Sequence, residues 1–322
     1  MPSSILEDIP FAPNCVLPAN TESELPRLLQ VSHAREPEDF ESFWKETYQQ
    51  ALQVDPKPAL SPSNHKLEGF DTFNLTYTSY QGASIKGWLA IPTAHPIRRG
   101  LVITHGYGGR ERPDTIPLLP DAAMIFPCLR ELPISVPEMS LEPCHHVLRG
   151  IESRGTYIHR GCVADVWVAV TALVQLAPQS EGRIDYVGTS FGGGIGALAL
   201  PWDDRLQSGV LGVPSFGNNP VRLAIPCGGS GAFVQKYVHD HPEALEVLAY
   251  YDSSVSATYT KKPVLVECAL KDEVVPPESQ FSVFNSLKGP RQLFLRQRSH
   301  CEYPDLEREN KSLLGAIREF FA

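Results

Sequence analysis

Apolar positions along the chain follow two rhythms: short β-branched or aromatic runs, and longer stretches in which they recur every three or four residues. The first helical stripe is Phe40, Phe43, Trp44 and Tyr48, with Pro37 suited to a first turn, and it predicts an amphipathic packing helix. Residues 1–36, rich in proline, read as an irregular arm, so that residues 1–55 form an N-terminal arm and helix. The Pro/Ser stretch 56–63 then breaks the helix. The runs 73–78 and 85–91, separated by Gln81-Gly82-Ala83, predict a hairpin. Residues 101–104 and 124–126 predict short buried strands.

The segment 127–143 carries four prolines and predicts a loop, the core of a loop-rich insertion over 127–155. Residues 157–176 predict a long helix whose Val163, Val166, Trp167, Val170 and Leu173 share one face. Further strands are expected at 210–213, 263–266 and 292–295, and a terminal helix at 306–321. Short strands interleaved with helices after an opening hairpin predict an α/β fold, with a mostly parallel central sheet, helices on both faces and an N-terminal helical extension.

At 322 residues, with 42% hydrophobic and 20% charged residues, the chain can form a sizeable core, and one domain over 1–322 is expected. The net charge of −9 and the lack of a long basic run argue against nucleic acid. No apolar run approaches the roughly 20 residues of a membrane span, so no membrane partner is expected. Residues 1–18 mix acidic residues and prolines where a secretory signal would be basic and then apolar. The seven cysteines form no Cys-x-x-Cys pair, and free thiols suit a reducing compartment, so a cytoplasmic location is expected.

The chemistry centres on residues 184–194, where Ile-Asp-Tyr-Val runs into Gly188-Thr189-Ser190-Phe191-Gly192 and then a small-residue helix. Strand, glycine-flanked serine and helix together predict a nucleophile elbow, with the Ser190 hydroxyl exposed on a strained turn. A serine hydroxyl needs a base, and the base needs an acceptor that fixes its tautomer. In the chain order serine, acid, histidine, Asp272 follows the strand 263–266, and His300 follows the last strand. Glu273 rivals Asp272, since one residue of loop register would exchange them. The oxyanion donors are expected to be the N–H of Phe191 and, from the loop Thr104-His105-Gly106-Tyr107, the N–H of Tyr107. His105 is an alternative base, although a histidine there more often hydrogen-bonds beneath its loop. His239-Asp240-His241 reads as a solvated stretch, so no metal site is expected. His145-His146 is ambiguous, and Cys301 is a weaker nucleophile candidate than Ser190.

On these residues the chain resembles the acetyl xylan esterases and cephalosporin C deacetylases, the seventh carbohydrate esterase family of the α/β-hydrolase superfamily. The resemblance runs from Asp39 to the end, through His105-Gly106-Tyr107, residues 188–194, Tyr250-Tyr251-Asp252, Asp272 with Pro276-Pro277, and His300 with Glu302. It implies Ser190, Asp272 and His300 as a triad, Tyr107 and Phe191 at the oxyanion positions, and cofactor-free removal of short acyl groups, chiefly acetyl, from sugars or related small esters. It also implies a homo-oligomer, with ring-like hexamers usual in the family. Three departures are evident. Arg130-Glu131-Leu132 replaces the family's Arg-Gly-Gln, Phe191 replaces a glutamine, and Cys301 separates His300 from Glu302. The first two are expected to reshape the pocket. Competing readings are a peptidase or amide hydrolase with the same triad, and a catalytically silent binding protein.

Overall fold

The computed structural model describes residues 9–115, 117–132 and 143–322, with 143–145 described by their backbone alone. In chain order the elements are α1 (Thr21–Leu28), α2 (Phe40–Leu52), β1 (Ala59–Pro62), β2 (Phe70–Thr78), β3 (Ser84–Pro92), β4 (Arg99–Ile103), β5 (Ala122–Cys128), α3 (Pro143–Leu148), α4 (Ile158–Leu176), β6 (Ile184–Thr189), α5 (Phe191–Ala199), β7 (Leu206–Gly212), α6 (Asn219–Ala224), α7 (Gly229–Asp240), α8 (Ala244–Leu248), α9 (Ser253–Ala257), β8 (Val264–Lys271), α10 (Pro277–Ser286), β9 (Arg291–Arg298) and α11 (Leu306–Phe320). The strands form one sheet in the order β1-β2-β3-β5-β4-β6-β7-β8-β9. The pairs β1–β2, β2–β3 and β3–β5 are antiparallel, and every later pair is parallel.

Alternation along each strand builds two cores, as a period of two requires. On β5, Ala123 and Ile125 join the larger core, whereas Ala122, Met124 and Phe126 face the smaller one. The larger core takes α2, α4, α5, α9 and α10; the smaller is closed by Ala316, Ile317 and Phe321 at the C-terminal end. Helix α4 is buried over most of its circumference, beyond the single face that its Val/Trp/Leu stripe predicts, because α2 and α5 pack on it from outside while β4 and β5 lie beneath.

Three expectations need correction. The arm over 1–36 contains α1, which keeps Pro26 inside it because Leu25 and Leu28 bury against the body and Asn285 Nδ2 donates to the carbonyls of Leu28 (3.0 Å) and Val31 (2.8 Å) at its C-terminal end. The stretch 56–63 contains β1, a fully exposed edge strand paired with β2, where proline is tolerated. The 127–143 loop yields at both ends: Pro127 and Cys128 continue β5 opposite Gly87 and Lys86, and Pro143 begins α3, a helix inside the 127–155 insertion. Residues 133–142 lie outside the described residues.

Beyond β9, the N-terminal segment runs alongside the sheet. Ala12 N–H donates to Leu293 O at 2.8 Å, and Leu293 N–H donates to Pro10 O at 2.8 Å. Among the described residues no helix is long and apolar enough to cross a membrane.

Candidate active site

The β6–α5 turn holds Ser190 at φ 57°, ψ −113°, a left-handed φ that a non-glycine residue adopts only when its surroundings enforce it. They do so through Ser190 N–H to Gly212 O (2.8 Å), Ser215 N–H to Ser190 O (3.1 Å) and Gly192 N–H to His105 O (3.0 Å). Both flanking glycines are needed for space. A Cβ at Gly188 would lie 2.5 Å from Gly192 O, and one at Gly192 would lie 2.5 Å from Thr104 Oγ1. Beneath the turn, Thr104 donates to Tyr186 Oη (2.6 Å), whose hydroxyl donates to Gly192 O (2.6 Å).

The loops after β8 and β9 bring Asp272 and His300 to this serine. His300 Nε2 lies 3.0 Å from Ser190 Oγ, and His300 Nδ1 lies 2.8 Å from Asp272 Oδ2. The Asp272 side chain is fully buried, and both of its oxygens act as acceptors. Oδ1 accepts from the amides of Val274 (2.8 Å) and Val275 (3.0 Å), and Oδ2 accepts also from Gln280 Nε2 (2.9 Å). An acceptor facing Nδ1 requires the proton on Nδ1, which leaves Nε2 as a bare acceptor for the Ser190 hydroxyl. Glu273 turns away: its side chain is 94% exposed and lies 3.9 Å from Arg298. Gln280 carried no sequence signal, since it lies eight residues beyond Asp272 on α10. Its amide is locked by donation to Val275 O (2.7 Å) and acceptance from Ala269 N–H (2.8 Å).

A cavity of about 410 Å³ opens over Ser190 and His300, walled by Gly106, Tyr107, Ser215, Val274 and Val275. Neither the Tyr107 nor the Phe191 N–H donates to another group among the described residues. The Phe191 ring does not reshape this cavity: it is fully buried in the opposite direction, with ring centroids 4.4 Å from Tyr107 and 5.6 Å from His159. Arg130-Glu131-Leu132 does not wall it either. Arg130 forms a buried fork with Asp165 of α4, with Nη2 to Oδ1 at 2.7 Å and Nε to Oδ2 at 3.0 Å, and also donates to Tyr80 O (3.0 Å).

His105 is structural. Its Nε2 accepts from Leu129 N–H (3.1 Å), so Nδ1 carries the proton to Gly106 O (2.7 Å), and burial pushes its pKa down to about 4. Two further histidines support the loop from behind. His146 Nε2 donates to Arg130 O (3.0 Å), which leaves Nδ1 to accept the Tyr107 hydroxyl proton (3.0 Å); Tyr107 Oη then accepts from His159 Nε2 (3.0 Å). Burial pushes His146 down to about 4 and His159 well below the ordinary range, and raises Tyr107 well above it. In the sequence, His146 was an ambiguous insertion residue and His159 unremarked, because Tyr107 joins them across 39 and 52 residues. The side chain of His145 lies outside the described residues. His241 lies 3.5 Å from Glu243 at the exposed end of α7, and Cys301 is an exposed free thiol. No group of three metal-ligating side chains occurs among the described residues.

A match to the family described as Acetyl xylan esterase (AXE1) spans residues 25–122 and 135–313, most of the chain. The chain belongs to the acetyl xylan esterase family. Acetyl esterase Axe7A of Xylanibacter ruminicola is 24% identical over 280 residues, 83% of this chain and 64% of that one, so the chain spans less than two thirds of this curated relative. Among solved structures, an acetyl xylan esterase from Paenibacillus sp. R4 superposes with a TM-score of 0.76 at 20% identity, covering 93% of this chain and 99% of the other. Acetyl xylan esterase 1 from Thermoanaerobacterium sp. JW/SL YS485 gives 0.76 at 19% identity, covering 92% and 99%. At such identities these structures establish the fold, which is that of the α/β-hydrolases. In this acetyl xylan esterase family member Ser190 stands at the head of α5, and Asp272 and His300 lie on the loops after β8 and β9.

Proposed function

We propose that the protein is a serine esterase that removes short acyl groups, chiefly acetyl, from sugars or related small esters, acetylated cephalosporins included. The observation that carries this is the unbroken line from Asp272 Oδ2 to His300 Nδ1 (2.8 Å) and from His300 Nε2 to Ser190 Oγ (3.0 Å), opening on a small cavity. Ser190 Oγ attacks the ester carbonyl while His300 Nε2 takes its proton, and Asp272 supports the imidazolium that forms. The N–H groups of Tyr107 and Phe191 are the donors for the tetrahedral oxyanion. Its collapse breaks the bond to the alcohol, which leaves with the proton from His300, and the acyl group stays on Ser190. Water then attacks the acyl-enzyme by the same route and releases the carboxylic acid.

One unit over 1–322 is part of this reading, supported by the union of all nine described strands in one sheet. Among the described residues six cysteines stand as free thiols, which supports a cytoplasmic setting. A homo-oligomer, of the ring-like hexameric kind, rests on family membership. The test is hydrolysis of acetyl, butyryl and octanoyl nitrophenyl esters, with acetylated xylan oligomers alongside, by the wild type and Ser190→Ala. Acetyl turnover should lead the series and fall by about 10,000-fold or more in the variant. Absent wild-type turnover, or activity indifferent to Ser190, would overturn the reading.

A further inference from the structure

The cavity over Ser190 and His300 is walled also by Arg222 of α6 and by Gly229, Ser230 and Gly231, the first turn of α7. Arg222 is 4% exposed, yet it has no ion-pair partner among the described residues. Among the described residues it donates one long bond, 3.4 Å from Nη1 to Asn219 Oδ1; Nε has no partner there, and the guanidinium carbon lies 5.7 Å from the Phe216 ring centroid. Four of its five N–H donors are therefore unspent among the described residues.

Among the described residues, each neighbour that could pair with Arg222 is hydrogen-bonded elsewhere or uncharged. Asp252 is saturated by the amides of Asn218 (3.0 Å), Asn219 (2.6 Å), Ser254 (3.0 Å) and Val255 (3.3 Å) and by the Ser254 hydroxyl (2.5 Å). Burial pushes the Cys227 thiol and the Tyr107 and Tyr157 hydroxyls up, which keeps them neutral. Among the described residues no Asp or Glu lines the cavity. Burial drives the guanidinium pKa down and outweighs the nearby charge of Asp252, with which Arg222 forms no ion pair.

The helix terminus adds to the same field. Helix α7 has twelve residues, begins after Gly228 with no side-chain cap, and carries no acidic residue in its first turn. The first-turn amides have no partner within the helix, and the helix dipole places partial positive charge there. Gly231 lets the backbone rest on the cation: a Cβ there would lie 3.0 Å from Arg222 Nη2. A buried guanidinium with no ion-pair partner among the described residues and an uncapped helix N-terminus thus meet in the wall of the cavity that holds Ser190.

We propose that this wall is a carboxylate subsite, and that the preferred substrates are short esters bearing a free carboxylate, with Arg222 as the specificity-determining residue. The inference rests on the serine-esterase reading and narrows its substrate class. The charge can sit on the acyl part or on the leaving alcohol, and two matched pairs separate these: 4-nitrophenyl hemiadipate against its methyl ester, and 3-acetoxybenzoate against its methyl ester. In the wild type, kcat/KM for the charged member of at least one pair should exceed that of its ester by about 10- to 100-fold, the effect of one charge-assisted hydrogen bond. In Arg222→Met the ratio should fall to about one, with Arg222→Lys between. A wild-type ratio at or below one in both pairs, or a preference unchanged in Arg222→Met, overturns the proposal while leaving the esterase intact. Calorimetry on Ser190→Ala, comparing monomethyl with dimethyl adipate, decides the subsite where no ester is turned over: selective binding of the acid supports it, and equal or absent binding of both refutes it. Should Arg222→Met fail to fold, the wild-type ratio and this calorimetry decide the matter unaided.

Discussion

At the scale of single residues, the site depends on groups that differ greatly in how visible they are along the chain. Ser190, Asp272 and His300 are legible because each follows its own strand and each has a local marker: flanking glycines, a turn before Pro276-Pro277, a lone late histidine. Gln280 and Arg222 are not, because what singles them out is a partner, or the lack of one, brought by the fold from elsewhere. The expectation that the Phe191 ring faces the pocket failed for a related reason. Its backbone position follows from the elbow, whereas its side-chain direction is set by the aromatic cluster behind it. Gln280 holds the Asp272 oxygen that faces His300. Gln280→Leu should therefore lower kcat by roughly 10- to 100-fold with KM little changed, since Asp272 loses a fixed donor. A kcat within twofold of wild type would show that Asp272 needs no such support.

Among the elements, strands with strong apolar runs were readable and those held by pairing alone were not. The run 101–104 marks β4 by composition, whereas β1 has no buried residue and exists through its ladder to β2. Helix α1, too, is a product of its contacts more than of its proline-bearing sequence. The Arg130–Asp165 fork is an element-scale device. It joins the end of β5 to α4, and Ser79 Oγ adds a 2.5 Å bond to the same carboxylate from the end of β2. Asp165→Ala would strand the Arg130 guanidinium in the interior, at an expected cost of about 3–5 kcal/mol in denaturant unfolding. Asp165→Asn, which keeps the shape but not the charge, should fall between. A loss below about 1 kcal/mol would mean that water reaches Arg130.

For the whole molecule, three buried neutral histidines, His105, His146 and His159, link stability to pH. Their folded pKa values lie below the ordinary 6.5, so between about pH 6.5 and 4 the unfolded chain binds more protons than the folded one. Their contribution is fully present above pH 6.5 and drains away as the pH falls, by up to about 4 kcal/mol per pH unit when all three act together. Asp185, Asp252 and Glu267, which burial pushes up, act in the opposite sense. The comparison is therefore of slopes: His159→Phe should flatten the fall of unfolding free energy between pH 6.5 and 5 by about a third of the histidine contribution. Equal slopes would mean that His159 takes up its proton in the folded state.

The segment beside β9 has a further consequence for the molecule among its neighbours in solution. A parallel sheet ends in a row of unspent backbone donors and acceptors, and such a row is a template on which another chain can add a strand. Pro10 and Ala12 occupy part of that row through Leu293, and Cys15 Sγ accepts the next free amide, that of Leu295, at 3.2 Å. The arm that reads as irregular in the sequence is thereby a stopper. It covers part of the β9 edge of the sheet against edge-to-edge aggregation with a few residues of the chain's own backbone.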